Sequence, residues 1–179
     1  MLVRDLMSKR VVFCTPSDSA EKAAILMKKH GVGAIPVVLD NADPLLEGII
    51  TDRDLCCGVI ARAGKADAIS VRDLMTRVPV TCEARDTVEF CEDLMQQNQV
   101  RRIPVVDQNG RCIGIVAQSD LALHVPPAQI ASTIAEISKP SPSKARETHF
   151  EKDYFYCGQP HELDEILLLN RRRETQISG

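Results

Sequence analysis

No apolar run in the 179-residue chain approaches the roughly 20 residues a bilayer-spanning helix needs. The opening MLVRDLMSKR carries charge where a signal peptide has its apolar core, so a cytoplasmic protein without membrane association is expected. An excess of positive charge is missing too. The formal net charge is −3, whereas binding across a nucleic-acid surface relies on Lys and Arg displacing phosphate counterions; nucleic acid is not an expected partner. The common catalytic patterns are also absent. His30, His124, His149 and His161 are not joined by a nucleophile elbow, a phosphate-binding glycine loop or an HExxH pattern. No catalytic residue is nominated, and the chain is not expected to be an enzyme.

Cysteine is present in an odd number, seven, which does not support a disulfide framework. Cys14, Cys56, Cys57, Cys82, Cys91 and Cys112 mostly sit among apolar neighbours, where free Cys packs as a small hydrophobe, so buried reduced thiols are expected. Adjacent cysteines rarely reach good disulfide geometry, and the place of Cys56 and Cys57 beside Leu55 and Val59 predicts packing. Cys157 and His161 stand at helical spacing, but two ligands without a second close pair are a weak metal signal, and no metal site is nominated.

What the chain does have is an internal repeat. RDLM occurs at Arg4–Met7 and again 68 residues later at Arg72–Met75; IPVV occurs at Ile35 and, by the same shift, at Ile103. GIITDRDL, from Gly48 to Leu55, matches GIVAQSDL, from Gly114 to Leu121, at a shift of 66, so the loop after IPVV is two residues longer in the first copy. Each copy predicts the same elements. A brief strand at Val11–Cys14 or Val78–Cys82 precedes a helix, whose start is read from Asp18 with Glu21, or Asp86 with Glu89, as a capping box. Gly31 is available to end the first helix and Asn98 takes its place in the second. Ala23, Leu26 and Met27, and likewise Val88, Cys91, Leu94 and Met95, recur at three- and four-residue spacing and form a buried face.

Two strands follow in each copy, Ile35–Leu39 with Gly48–Thr51, and Ile103–Asp107 with Cys112–Ala117, the second pair joined through the hairpin signal Asn109-Gly110. Both pairs run into a helix, near Asp52 and near Ser119. The result is an α+β fold of two β-α-β-β-α repeats. A small sheet with helices on one face needs a partner surface, so the copies are expected to pack about a pseudo-two-fold axis. Residues 1–62 form the first repeat, 63–70 a connector, 71–125 the second repeat and 126–179 a tail. Pro126-Pro127 ends the second repeat's last helix. In the tail, PAQIASTIAEI predicts a helix with Ile130, Ile134 and Ile137 on one side, SKPSPSKARE reads as a flexible linker, and residues 161–174 predict an amphipathic helix ending in Arg171–Arg173.

VRDLM, the Pro-Val-Val strand and the closing glycine, two aliphatic residues and Asp-Leu, twice and in register, resemble a tandem pair of cystathionine β-synthase (CBS) domains, a Bateman module, over roughly residues 1–125. The resemblance implies a regulatory module that binds an adenosine-containing ligand, AMP, ADP or ATP, in a cleft between the repeats. It further implies a homodimer through the CBS helices and a separate regulated protein as partner. It places Thr51 on the phosphate side of the ligand and Asp54 on the ribose hydroxyls, a carboxylate being able to accept both hydroxyls of a cis-diol. Arg101 and Arg102 stand ahead of the second IPVV, where the first copy has Gly33 and Ala34; in nucleotide-binding relatives basic residues there reach across to the phosphates held by the other repeat. The composite site is Thr51, Asp54, Arg101 and Arg102, with Gly33 and Ala34 leaving room for a base. The second site keeps Asp120 but has Ala117 for the threonine, so it is expected to be weaker. Read without the resemblance, Thr51 is a helix cap, Asp54 a first-turn charge, and the two arginines a solvated pair. A CBS pair serving only as a scaffold for dimerisation or nucleic-acid contact, with no small ligand, is the alternative function.

Overall fold

The computed structural model describes residues 1–139, which form one compact unit. The Cys157–His161 pair, the 161–174 helix and the Arg171–Arg173 run lie outside the described residues. Chain order is α1 (Val3–Leu6), α2 (Ala20–His30), β1 (Ala34–Val38), β2 (Leu46–Thr51) and α3 (Asp52–Leu55), which continues as a π-helical turn, Cys56–Ile60. A 3-10 turn at Val71–Asp73 leads to β3 (Thr76–Arg77), β4 (Cys82–Glu83), α4 (Val88–Asn98), β5 (Arg102–Val106), β6 (Cys112–Ala117), α5 (Gln118–His124) and α6 (Pro127–Ser138). The α+β architecture of two repeats is therefore present, followed by one helix.

The repeat is visible in the hydrogen bonding. β1 pairs antiparallel with β2, Ala34 opposite Thr51, as β5 pairs with β6, Arg102 opposite Ala117, and each pair carries an irregularity before its last residue, Val38 or Val106. The predicted first strands are shorter than expected: Cys14 makes a single parallel bridge to Val37, and Cys82–Glu83 pairs parallel with Val105–Val106. A strand that adds only one or two residues at a sheet edge carries few ladder bonds, which is why its sequence signal was longer than the element.

Each copy's leading segment crosses to the other copy. Val3 and Leu6 are buried in the core with Val88, Cys91, Met95, Ile103 and Leu121, whereas Val71 is buried with Cys14, Ala23, Met27, Ile35 and Ile50. Ser8 bridges Ile115 of β6, and β3 pairs with β2 through Thr76 opposite Ile49. The methionine of each RDLM comes over a β-strand glycine. A Cβ at Gly114 would stand 2.6 Å from the Met7 sulfur, and one at Gly48 would stand 2.7 Å from the Thr76 carbonyl oxygen and 2.9 Å from the Met75 sulfur. RDLM and the GIITDRDL-like ending are thus two halves of one contact, exchanged between copies.

The helix starts differ by one residue from the sequence reading. Ser19 Oγ accepts the Lys22 N–H at 3.1 Å and Thr87 Oγ1 accepts the Phe90 N–H at 3.2 Å, so these are the N-caps. Asp18 and Asp86 instead close the preceding turns by accepting the N–H groups of Thr15 and Glu83. Gly31 ends α2 in the left-handed region with φ 65°. Its counterpart ending α4 is Gln99, φ 51°, and not Asn98; Gln99 is the residue 68 positions after Gly31.

Four of the expected buried thiols are buried: Cys14, Cys82, Cys91 and Cys112. Burial pushes the Cys14 thiol up to about 12 and that of Cys112 to about 11, and the hydrogen bond with Cys91 followed by burial raises that of Cys82. Cys56 and Cys57 are exposed, which corrects the packing expectation. Leu55 takes the buried side of this turn, together with the partly buried Val59, and leaves the two intervening cysteines facing solvent.

The two extra residues of the first loop have a structural role. Loop 39–45 reaches the Asn109-Gly110 turn of the second copy: the Leu46 N–H donates to the Gly110 carbonyl at 3.0 Å, the Cys112 N–H to the Pro44 carbonyl at 2.8 Å, and Arg111 Nε meets Asp43 Oδ1 at 2.5 Å. Within the turn, Asp107 accepts the N–H groups of Arg111 and Asn109, and the Arg111 bond foremost holds its carboxyl below the usual carboxylate range. α6 docks on α4. Ile130 and Ile137 are buried as expected, but Ile134 is 39% exposed and Thr133 takes its place. The Thr133 hydroxyl donates to the buried Glu92 carboxylate at 3.0 Å, and the Gln129 side-chain amide donates to the same carboxylate, so a buried acid is satisfied by neutral donors.

Candidate functional site

The site is built where β1 and β2 end side by side. Ala34 lies opposite Thr51 in the sheet, and the Asp52 N–H donates to the Gly33 carbonyl at 3.1 Å, which ties the residue before β1 to the first residue of α3. Thr51 caps α3, its Oγ1 accepting the Asp54 N–H at 3.2 Å, while Asp54 Oδ2 accepts the Thr51 N–H at 2.9 Å and the Thr51 hydroxyl at 2.7 Å. The Thr51 cap is the structural role read without any family resemblance, and the return bonds of Asp54, read only as a first-turn charge, complete a capping box. It also fixes the half-buried Asp54 carboxylate in one orientation at the mouth of the strand pair.

The second copy repeats the backbone and loses part of the chemistry. The Gln118 N–H donates to the Arg101 carbonyl at 2.9 Å, and Asp120 Oδ2 accepts the Ala117 N–H at 2.8 Å, but Ala117 has no hydroxyl to add. Asp120 is half-buried like Asp54.

The two copies meet at Gly33. Arg102, the first residue of β5, sends its guanidinium over to the first copy, where Nη2 lies 3.0 Å from the point a Gly33 Cβ would occupy. Asp52 Oδ2 lies 2.9 Å from the same point. A Cβ at position 33 would crowd both groups, so glycine leaves the room in which a cation from one copy approaches the strand ends of the other. Arg102 is half-buried and Arg101 exposed, and neither guanidinium hydrogen-bonds or ion-pairs with a described residue. Gly33, Ala34, Thr51, Asp54 and Arg102 are thereby gathered around one end of β1 and β2. Arg101 is next to Arg102 in the chain, with no side-chain contact that fixes it there. Asp52 was missed by sequence reasoning; its signal was the pair Asp52 and Gln118, a difference of charge beside the noticed loss of a hydroxyl from Thr51 to Ala117.

Chemically, the arrangement offers a fixed carboxylate with an adjacent hydroxyl on one side and uncommitted guanidinium on the other. Guanidinium holds phosphate or carboxylate oxygens in a planar fork. Among the described residues, no group of three or more His, Cys, Asp or Glu side chains could hold a metal ion, and no described helix is long and apolar enough to cross a membrane.

Comparison with known proteins agrees with the repeated fold. The family model for the CBS domain matches residues 3–58 and again 71–126. The CBS domain-containing protein YhcV of Bacillus subtilis is 39% identical over 122 residues, 68% of this chain and 84% of YhcV. The crystal structure of the CBS domain pair of protein MJ0100 in complex with 5-methylthioadenosine and S-adenosyl-L-methionine is similar with a TM-score of 0.61 at 29% identity, covering 69% of this chain and 94% of that one. That of CBSX2, an Arabidopsis thaliana protein, in complex with AMP has a TM-score of 0.58 at 28% identity, covering 75% and 98%. With the family model matched twice across most of the described residues and CBS pairs as structural neighbours, this chain belongs to the CBS domain family and carries its domains as a tandem pair.

Proposed function

We propose that the chain is a non-enzymatic sensor that takes an adenosine nucleotide in the cleft between its CBS repeats and passes the change in packing to a separate protein. The observation that carries this reading is the half-buried Arg102 guanidinium, uncommitted and lying against Gly33 beside the Thr51–Asp54 box. In the proposed complex Asp54 accepts the ribose hydroxyls through its free oxygen, Thr51 turns its hydroxyl to the phosphate, and Arg101 and Arg102 hold the phosphate oxygens. Gly33 and the adjoining Ala34 keep this corner free of bulky side chains, but the space beside Gly33 is taken by Arg102 and Asp52, so the base is not placed there. Adenosine compounds in the structures of two CBS-pair neighbours support that ligand class. The second site, at Asp120, has Ala117 where the first has the Thr51 hydroxyl, and is the weaker one. A homodimer through the CBS helices completes the reading, supported by the exposed Ile25, Ile60 and Leu123 on α2, the π-helical turn and α5.

Thermal unfolding with AMP tests the function. At 100 times its dissociation constant, a ligand that binds only the folded state adds about 2.7 kcal/mol of stability, and the midpoint is expected to rise with AMP concentration and not with inorganic phosphate at the same concentration. No rise with AMP, ADP, ATP or S-adenosylmethionine would instead favour a scaffold that uses the CBS pair for dimerisation without a small ligand.

A further inference from the structure

We infer that Asp52 sets the charge selectivity of the site, favouring an adenosine ligand with one phosphate over di- and triphosphates. This rests on the nucleotide reading above and adds to it a residue outside the expected set. Asp52 Oδ2 and Arg102 Nη2 both approach the same point beside Gly33, so at most about 6 Å separates them, yet they form no ion pair. Asp52 Oδ1 is occupied by the Arg53 N–H at 2.8 Å, which holds the carboxylate in place. A phosphate gripped by Arg102 therefore sits within several ångströms of a fixed negative charge. The guanidinium offsets that charge for one phosphate. Each further phosphate brings more negative charge to the same corner, where the next cation in the chain, Arg101, is exposed and has no contact that fixes it there. Because Asp52 is exposed, the repulsion is screened, and its expected size is about three- to tenfold in affinity. The corresponding residue of the second copy is Gln118, neutral and equally hydrogen-bonded through its N–H, so the backbone does not require an acid here.

Calorimetric titration of AMP, ADP and ATP, with EDTA present to exclude metal complexes, tests this on the full chain and on Asp52→Asn, which keeps the oxygen that accepts the Arg53 N–H. The wild type is expected to bind AMP more tightly than ATP. Asp52→Asn is expected to tighten ATP by about three- to tenfold and AMP by less, an effect that shrinks as salt rises, while adenosine is unaffected and Asp67→Asn, which removes an exposed charge in the connector, changes neither ratio. Wild type binding ATP as tightly as AMP, or Asp52→Asn shifting AMP and ATP by one common factor, would overturn the role of Asp52 while leaving the site intact. Failure of every adenosine compound to bind either protein would overturn the nucleotide reading itself, and this proposal with it.

Discussion

Replacing both Arg101 and Arg102 by Ala is expected to weaken AMP binding by at least about a hundredfold, since each hydrogen bond to a charged group contributes roughly 1.5–3 kcal/mol. Adenosine, which has no phosphate, should bind the double variant as it binds the wild type. Calorimetry with the two ligands separates these cases, and an equal loss for both would show that the arginines act on the fold and not on the phosphate. Most of the effect is assigned to Arg102. It is half-buried and reaches Gly33, whereas Arg101 is exposed with its carbonyl committed to the Gln118 N–H.

How much of this site the sequence disclosed depends on the kind of signal. Thr51 and Asp54 stood out because a duplicated ending made the Thr51-to-Ala117 difference visible, and Arg101 and Arg102 stood out against Gly33 and Ala34 for the same reason. Thr51 as the cap of α3 was read from its place ahead of the helix, whereas Asp54 was read only as a first-turn charge and its return bonds to Thr51 were not. Asp52 went unread. Its importance comes from where Arg102 arrives in space, and nothing in the order of residues tells which first-turn acid of a short helix a distant guanidinium will meet. The exposure of Cys56 and Cys57 was hidden similarly: the neighbours Leu55 and Val59 predicted packing, but only the direction of the turn decides which side chains it covers.

The second large expected effect is on stability. Ile103→Ala should destabilise the fold by about 2–5 kcal/mol, the range for deleting a buried aliphatic side chain whose cavity only partly collapses. Ile103 is fully buried, lies opposite Val116 in the sheet and packs in the cluster that holds Val3 and Leu121. Ile35→Ala should cost a similar amount, because Ile35 is also fully buried and lies opposite Ile50. Urea unfolding measures both, with the midpoint falling and the slope unchanged. A loss below about 1 kcal/mol at either position would contradict the placement of these residues in tightly packed cores.

The fold itself was legible because its strongest features are periodic. The apolar spacing of α2 and α4, the IPVV strands and the Asn109-Gly110 turn each carry their own local cause, and all appear where expected, with ends shifted by a residue or so. The misplaced caps show the limit of that logic. Asp18 and Ser19 are both good N-cap residues, and the choice went to Ser19 because Asp18 was taken by the turn before it. The exchange of leading segments was not legible at all. RDLM repeats at the same shift as IPVV whether it packs on its own copy or on the other, and the crossing is revealed by contacts such as Met7 over Gly114, Met75 over Gly48 and the Ser8–Ile115 bridge. Likewise, the tail's first helix was read as an appendage, but Glu92, Gln129 and Thr133 tie it to α4 through bonds between residues some forty positions apart.

The central claim is that one of the two related clefts binds a nucleotide through the carboxylate that closes its strand pair. AMP titration of Asp54→Asn beside Asp120→Asn tests it most directly, because the two acids make the same backbone bond, to the Thr51 and Ala117 N–H groups at 2.9 Å and 2.8 Å, and Asp54 adds the bond from the Thr51 hydroxyl that Asp120 lacks. The account predicts that Asp54→Asn weakens AMP by about tenfold or more while Asp120→Asn leaves the tight site unchanged. Equal affinity in the two variants, or a loss confined to Asp120→Asn, would contradict it.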